Sequence, residues 1–577
     1  MPQPSHDQHS AYKWVVLSNT TLGMLAAAIN SSILLISLPA VFRGIGLRAL
    51  DPGNANYLLW AIIGYMIATA VLVVAFGRLG DQFGRARMYN LGFAVFTVAS
   101  VALSLLPGRG DFAATYLIVV RIVQGVGGAL IMANSTALLT DAFPPQQRGL
   151  ALGINVVAAI GGQFVGLLIG GLLADANWRL VFWINVPFGL VGTVWAYWQL
   201  HDTPTRVSHR IDWAGNLTFG LGLVLVLTAI TYGIQPYSGH VMAWTSPLVL
   251  SLFAAGLASL ALFIVVERVA PRPMLDMRLF RNRPFAYGNL ANLSSAVARG
   301  GLQFMLIIWL QGIWLPLHGY SFEETPLWSA VFMLPLTLGF LLAGPLAGYF
   351  SDRVGGVPFA VGGVPFAVGG MVLGALSFVA LMALPSNFSY GAFAALLFTN
   401  GLGSGLFVAP NSTQIMNAVP ASERGQASGM RATTTNAGQV LSIGLFFSLM
   451  LAGLAATLPQ AMEAGLLAQN VPAAVAHEVA GTPPVSSLFA AFLGYNPMAE
   501  LVPPDVLAAL PPGSAAVLTG PAFFPGLMAG PFKHGLVFAF SFSAILYLVA
   551  AAASWRGGSY TAPEAGPAER PSATLAE

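Results

Sequence analysis

The chain has no cysteine, and only 8% of its 577 residues are charged. The first absence removes thiolate catalysis, disulfides and iron–sulfur clusters. The second restricts the fold. A soluble domain is about 25% charged, and 24 Lys and Arg with 21 Asp and Glu cannot solvate the surface of a 60.4 kDa chain. Eight histidines are scattered through tails and loops with no His/Glu spacing suited to a metal. No Walker-type phosphate loop occurs, which excludes an ATP-driven pump. Disorder and nucleic-acid binding are disfavoured by the same composition. Neither an enzyme, a cofactor nor a metal is expected.

What is present is apolar sequence in long runs. Hydrophobic residues make up 56% of the chain, with a mean hydropathy of +0.74. A bilayer core of about 30 Å needs roughly 20 apolar residues per helix. Fourteen segments of that size can be drawn, from 13–37 and 56–79 through 327–350, 356–384 and 425–455 to 534–555. The fold expected is an all-α polytopic membrane protein, with the lipid bilayer as its solvent. The first run is longer than a signal-peptide core and lacks a small-x-small cleavage site, so no signal peptide is expected. Of the 24 Lys and Arg, Arg121, Arg299 and Arg431 fall inside spans, while Arg43, Arg48, Arg109, Arg179 and Lys533 fall in one set of loops. The other sixteen lie in the opposite loops and the tails. This bias places both termini in the cytoplasm, by default across a bacterial inner membrane.

The sequence repeats itself. Pro144-x-x-x-Arg148-Gly149-x-x-x-Gly153 recurs as Pro420-x-x-x-Arg424-Gly425-x-x-x-Gly429, Gly162-Gln163 as Gly438-Gln439, and Gly125-x-Gly127 as Gly401-x-Gly403, all at an offset of 276. Gly77-x-x-x-Asp81-x-x-Gly84 recurs as Gly348-x-x-x-Asp352-x-x-Gly355. The expected plan is an N-terminal tail (1–12), a six-helix bundle (13–199), two inserted helices with linkers (200–286), a second six-helix bundle (287–555) and a C-terminal tail (556–577). Parallel halves with a path between them that opens alternately to each side are a transporter plan.

Gly77, Asp81, Gly84 and Arg85 form a loop whose glycines permit a tight turn, and Asp81 can face the positive end of a helix of the other half. The competing reading is a solvated turn. Arg121-x-x-Gln124-Gly125 lies mid-span, where a charge must find a partner or water; snorkelling or a structural role is the alternative. Gly162, Gly166 and Gly170, with Gly171, stack on one helix face and allow close helix contact. The loop resembles the signature of the major facilitator superfamily, the Arg121 segment its fourth-helix motif, and the Gly162–Gly171 run its antiporter motif, although Leu167 stands where members usually have Pro. Trp178-Arg179-x-x-Phe182-x-Ile184-Asn185-x-Pro187 and Pro273-x-Leu275-Asp276-x-Arg278 match as well. With fourteen spans, the set resembles the 14-helix drug:proton antiporter family. The resemblance implies proton-coupled export of drugs, lipids or other small amphiphiles by a monomer. It implies a conformational latch at Gly77, Asp81, Gly84, Arg85 and Asp352, and a coupling role for Arg121.

One departure stands out. The first-helix motif of that family normally opens with Asp, and here the residue is Asn30. All 21 acids map to tails, loops or span ends. A coupling and substrate cavity built from Asn30, Arg121, Gln124, Gln163, Arg299, Arg431 and Gln439 therefore has cations and no anion, and suits anionic, zwitterionic or neutral amphiphiles better than dications. Alternatively each arginine bonds backbone carbonyls near a glycine break. Adjacent Glu323 and Glu324 are the candidate proton site, through mutual repulsion and partial burial. A lipid transporter with weak or no proton coupling is the second reading of the whole.

Two segments carry no motif. Gly-Gly-Val-Pro-Phe-Ala-Val is written twice over 355–368, and Pro358 and Pro365 argue against one helix through both copies. Residues 456–533 form a long apolar outer segment. It either caps the cavity or lies on the leaflet as a hairpin, or else it simply packs on the outer helix ends.

Overall fold

The computed structural model describes residues 6–558 except 49, 52–53, 145–146, 203–211, 239–241, 271–272, 274–276, 344–363 and 421–423. Asp352 and the first copy of the duplicated heptad lie outside the described residues. Among the described residues, fourteen helices are long and apolar enough to cross a membrane. They are α1 (His6–Ile45), α2 (Asn54–Phe83), α3 (Arg85–Ser104), α4 (Gly110–Ala142), α5 (Arg148–Ala176), α6 (Leu180–Gln199), α7 (Trp213–Gly233), α8 (Pro247–Val269), α9 (Arg283–Leu317), α10 (Thr325–Ala343), α11 (Val364–Ala383), α12 (Tyr390–Asn417), α13 (Arg424–Ala468) and α14 (Phe523–Gly557). An even number of spans puts both termini on one face, called here the terminal face; the opposite one is the distal face.

Local chemistry sets the boundaries. The Asp212 carboxylate accepts from the Gly215 N–H at 2.8 Å and starts α7. Pro247 lies in the first turn of α8, where its missing N–H costs nothing. The second copy of the heptad begins α11 in the same way, with Pro365 as the second helical residue. Two boundaries differ from the sequence reading. The helix α13 runs through Pro459 to Ala468, and α14 begins at Phe523 with Pro531 inside it. The segment between them therefore covers 469–522 and holds five short helices, three of which start at Pro-Pro pairs.

The two halves are built on the same contacts. In the first, α1 packs on α5, α2 on α4, and α3 on α4 and α6; in the second, α9 packs on α13, and α11 on α12 and α14. Glycine makes this possible, since helices associate in lipid by close backbone packing. A Cβ on Gly125 of α4 would lie 2.8 Å from the Tyr65 carbonyl oxygen of α2, and one on Gly127 would lie 2.6 Å from the Phe96 nitrogen of α3. Their repeats Gly401 and Gly403 of α12 meet the Leu336 carbonyl of α10 and the Gly374 nitrogen of α11 in turn. Gly162 sits on Leu25 and Ala28 of α1, and Gly438 on Leu293 and Ala296 of α9. Two six-helix bundles result, joined where α10 packs on α5 and α13 on α2. The inserted helices pack on each other, and α7 lies against α2 and α13, flanking that seam. Gly127→Val should cost stability by overpacking, about 1–3 kcal/mol, whereas Gly153→Ala, with nothing within 4 Å of the new Cβ, should be neutral. Thermal melts of purified protein in detergent compare the two.

Candidate functional site

The loop between α2 and α3 lies on the terminal face. Gly84 holds φ at +110°, a conformation that side chains resist. The Asp81 carboxylate accepts from Arg85 Nε at 2.7 Å, and Arg85 Nη1 reaches Asp141 of α4 at 2.5 Å. Asp81 is thus paired within its own bundle. The α13 residues 424–426 have no described side chains, although α2 packs on α13. Gly77 faces open space. A further carboxylate, not singled out by sequence, completes the loop. Asp202, just after α6, accepts from the Ala86 N–H at 2.9 Å and is ion-paired with Arg87 at 3.3 Å. It caps α3 in place of a local side chain. A Cβ on Gly84 would collide with it, so that glycine is required twice over. Arg78 donates to the Pro273 carbonyl at 2.5 Å and ties the loop to the linker before α9.

The second cluster is inside the first bundle. Arg121 is 2% exposed, and Asn30, Gln124, Ser100 and Asn185 are 0% exposed. Arg121 Nη1 donates to Gln124 Oε1 at 2.9 Å and to Asn30 Oδ1 at 3.2 Å, and its Nε reaches the Ala61 carbonyl at 3.5 Å. Its guanidinium lies 4.5 Å from the Tyr65 ring centre. Asn30 Nδ2 donates to Gln124 Oε1, Asn185 Nδ2 to Asn30 Oδ1, and Gln124 Nε2 to Ser100 Oγ, at 3.1, 3.2 and 2.9 Å. Four helices are tied together by neutral amides around one charge. This corrects the expectation that Asn30, Arg121 and Gln124 line an open cavity with the other arginines. They are buried inside the bundle, where Arg121 also reaches a backbone carbonyl. Ser100 carried no signal beyond the polarity of an isolated mid-span residue, and Asn185 only its place in the Trp178–Pro187 pattern.

The second bundle differs. Asn292 Nδ2 of α9 donates to the Arg431 carbonyl at 3.1 Å and to Thr435 Oγ1 at 2.8 Å, and Asn289 Oδ1 accepts from Thr434 Oγ1 at 3.4 Å. These bonds join α9 to α13. Arg299, Arg431 and Gln439 are half-buried and Gln163 is exposed. The Arg299 guanidinium lies 5.6 Å from the Phe340 ring centre. Among the described residues, neither Arg299 nor Arg431 is ion-paired with a carboxylate. Glycines at 300 and 301 are explained by α13, since a Cβ on Gly300 would lie 2.8 Å from the Gln439 carbonyl oxygen.

The glycine face of α5 lies against α1. Added Cβ atoms on Gly162, Gly166 and Gly170 would fall 2.8, 2.6 and 2.7 Å from the carbonyl oxygens of Leu25, Ile29 and Ile33. Gly171 points elsewhere, toward Leu327 of α10 at 2.7 Å, and so sits in the seam between halves. Glu323 and Glu324 are exposed on the distal face, and Glu324 accepts from the Ser321 N–H of its own turn at 3.3 Å. The partial burial invoked for this pair is absent. Among the described residues Glu267, at the terminal-face end of α8 and 2% exposed, is the only buried carboxylate.

Residues 20–443 match the profile of the Major Facilitator Superfamily. Multidrug resistance protein Stp of Mycobacterium tuberculosis is 27% identical over 456 residues, 78% of each chain. Methyl viologen resistance protein SmvA of Salmonella typhimurium is 29% identical over 466 residues, 80% of this chain and 86% of its own. Among solved structures, a bacterial homologue of the human lysosomal transporter Spinster, inward-facing and unoccupied, superposes with a TM-score of 0.55 at 16% identity, covering 95% of this chain and 98% of the other.

Asp202→Ala should weaken the cap on α3 by about 1 kcal/mol and loosen the loop while leaving expression intact. Faster hydrogen exchange at residues 84–88, with the Arg121 region unchanged, is the expected result.

Proposed function

Since the chain belongs to the major facilitator superfamily, we propose that it is a secondary transporter exporting small amphiphilic molecules by alternating access, driven by proton exchange. It works as a monomer in a bacterial inner membrane with both termini cytoplasmic. Two relatives named for drug resistance support export. The seams α5/α10 and α2/α13 support rocking of one bundle on the other. The loop of Gly77, Asp81, Gly84 and Arg85, with Asp352 as its counterpart, is the latch of the terminal face.

The observation that carries the substrate class is the charge of the interior. Arg121 is surrounded by amides, and among the described residues Arg299 and Arg431 have no acidic partner. A dication entering between the halves meets positive potential with no carboxylate to offset its lost hydration. Anionic and neutral amphiphiles are therefore preferred. SmvA is named for resistance to methyl viologen, a dication, so this chain is proposed to differ from that relative in charge preference. The same observation favours a second reading, an amphiphile or lipid transporter with weak or no proton coupling, because the Arg121 cluster holds no carboxylate.

Sealed proteoliposomes decide between them. Uptake of the anionic amphiphile 1-anilinonaphthalene-8-sulfonate should rise severalfold under an imposed pH gradient; equal uptake with and without it establishes the second reading, and no uptake in either case refutes transport of this class. Asn30→Asp adds an acid at a position 3.2 Å from Arg121 and should raise methyl viologen uptake relative to the anionic dye. Asp81→Asn should reduce uptake severalfold at unchanged expression; full activity in a well-folded variant removes the latch role.

A further inference from the structure

One of the short helices between α13 and α14, Pro484–Leu493, is placed unlike a surface loop. Leu488, Phe489, Ala490 and Phe492 are each 0% exposed, and Val485, Ser487, Ala491 and Leu493 are buried with them. Ten residues rise about 15 Å, half a bilayer core, so the helix cannot be a span. It is uncharged, with two serines as its only polar side chains. Gly494, at φ +69°, stops it, and the Gly494 N–H donates to the Ala491 carbonyl at 3.2 Å.

Its neighbours come from both halves. It packs on α1 and α2 of the first bundle and on α9, α13 and α14 of the second. The two sides are not alike. Toward the second bundle the fit extends to the backbone. The helix α9 widens into a π-turn at Leu310–Trp314, and a Cβ on Gly312 would lie 2.5 Å from the Ala491 carbonyl oxygen. The Phe492 ring lies 5.2 Å from Phe304, and the Phe489 ring 5.7 Å from Phe447. Just beyond, Asn496 Nδ2 donates to the Leu518 and Gly520 carbonyls at 2.8 Å each, which fastens the segment to the approach to α14. Toward the first bundle, among the described residues, there is apolar contact, the Tyr495 hydroxyl against the Leu50 backbone, and one exposed ion pair, Arg48 with Glu500 at 3.8 Å. A pair of that kind contributes roughly 0–1 kcal/mol.

We propose that Pro484–Leu493 is a plug in the distal mouth, carried by the second bundle and withdrawn from α1 and α2 each time the halves part on that face. The proposal rests on alternating access as argued above. The plug is covalently continuous with α13 and α14 and fitted to α9, so it cannot leave the second bundle without losing backbone-level packing. Its contacts with α1, α2 and the loop between them can separate at the cost of apolar area, one hydroxyl–backbone contact and one weak ion pair. While seated, it closes the mouth to water on that face.

The natural absence of cysteine makes the test direct. Arg48→Cys/Glu500→Cys joins the segment to the first bundle, and Phe447→Cys/Phe489→Cys joins the plug to the second. Both are cross-linked with a short bis-methanethiosulfonate, and uptake of 1-anilinonaphthalene-8-sulfonate is read with and without dithiothreitol. The first cross-link should reduce uptake to background, reversibly, and the second should leave more than half. Uptake that survives the first, or is lost with the second, overturns the proposal. Should the uncross-linked protein take up no dye, the transporter reading fails by itself. The plug is then decided by Ser487→Cys and a membrane-impermeant maleimide. Slow but complete labelling supports withdrawal, and full protection refutes it.

Discussion

A guanidinium held in hydrocarbon has to be solvated by the protein. Arg121 finds that solvation in Asn30, Gln124, the Ala61 carbonyl and the face of Tyr65, and the first bundle is arranged around the requirement. Asn30 comes from α1, Tyr65 from α2, Ser100 from α3, Gln124 from α4 and Asn185 from α6. They meet only if the helices lie closer than ordinary side chains allow. Gly125 and Gly127 bring α4 onto α2 and α3, and Gly162, Gly166 and Gly170 bring α5 onto α1. Leaving one of these buried amides unpaired costs roughly 1–3 kcal/mol. The cluster is therefore kept whole or lost whole, which suits a bundle that moves as one body.

The second bundle keeps the glycine contacts and discards the charge. Leu397 occupies the position equivalent to Arg121, and α9 and α13 are joined instead by Asn289 and Asn292 with Thr434 and Thr435. Arg299 and Arg431 stay half-buried and, among the described residues, without acidic partners. The skeleton is thus symmetric and the electrostatics are not. One bundle has its mid-span charge buried, and the other keeps Arg299 and Arg431 half-buried. The plug adds a further asymmetry, since only the second bundle carries a segment that closes the distal mouth.

Much of this was legible in the sequence. Spacing by four puts Gly162, Gly166 and Gly170 on one face, and recurrence of Gly-x-Gly at a fixed offset requires the same helix contacts twice. Pro358 and Pro365 argued against one helix through both copies of the heptad, and α11 is described from Val364. What could not be read depends on tertiary partners. Arg121 looks the same in sequence whether it lines a cavity or sits among amides from its own helix and two others. Gly171 adjoins that pattern, about 100° round the helix from Gly170, and turns to the other bundle. Asp202 follows a span end like any solvated acid, and only the fold brings it to α3. Glu323 and Glu324 promised burial that the turn before α10 does not provide. Pro459 and Pro531 lie inside α13 and α14, since a long membrane helix tolerates an internal proline where neighbours re-satisfy its backbone. The burial of Pro484–Leu493 reflects contacts from both halves, which no local pattern announces.

The central claim is that the interior of this transporter is electropositive without a compensating acid. Equilibrium binding measured by calorimetry on purified protein at fixed ionic strength tests it most directly. The account predicts tighter binding of 1-anilinonaphthalene-8-sulfonate than of methyl viologen, with the difference reduced in Arg299→Ala. Tighter binding of methyl viologen, or a preference unaltered by Arg299→Ala, would contradict it.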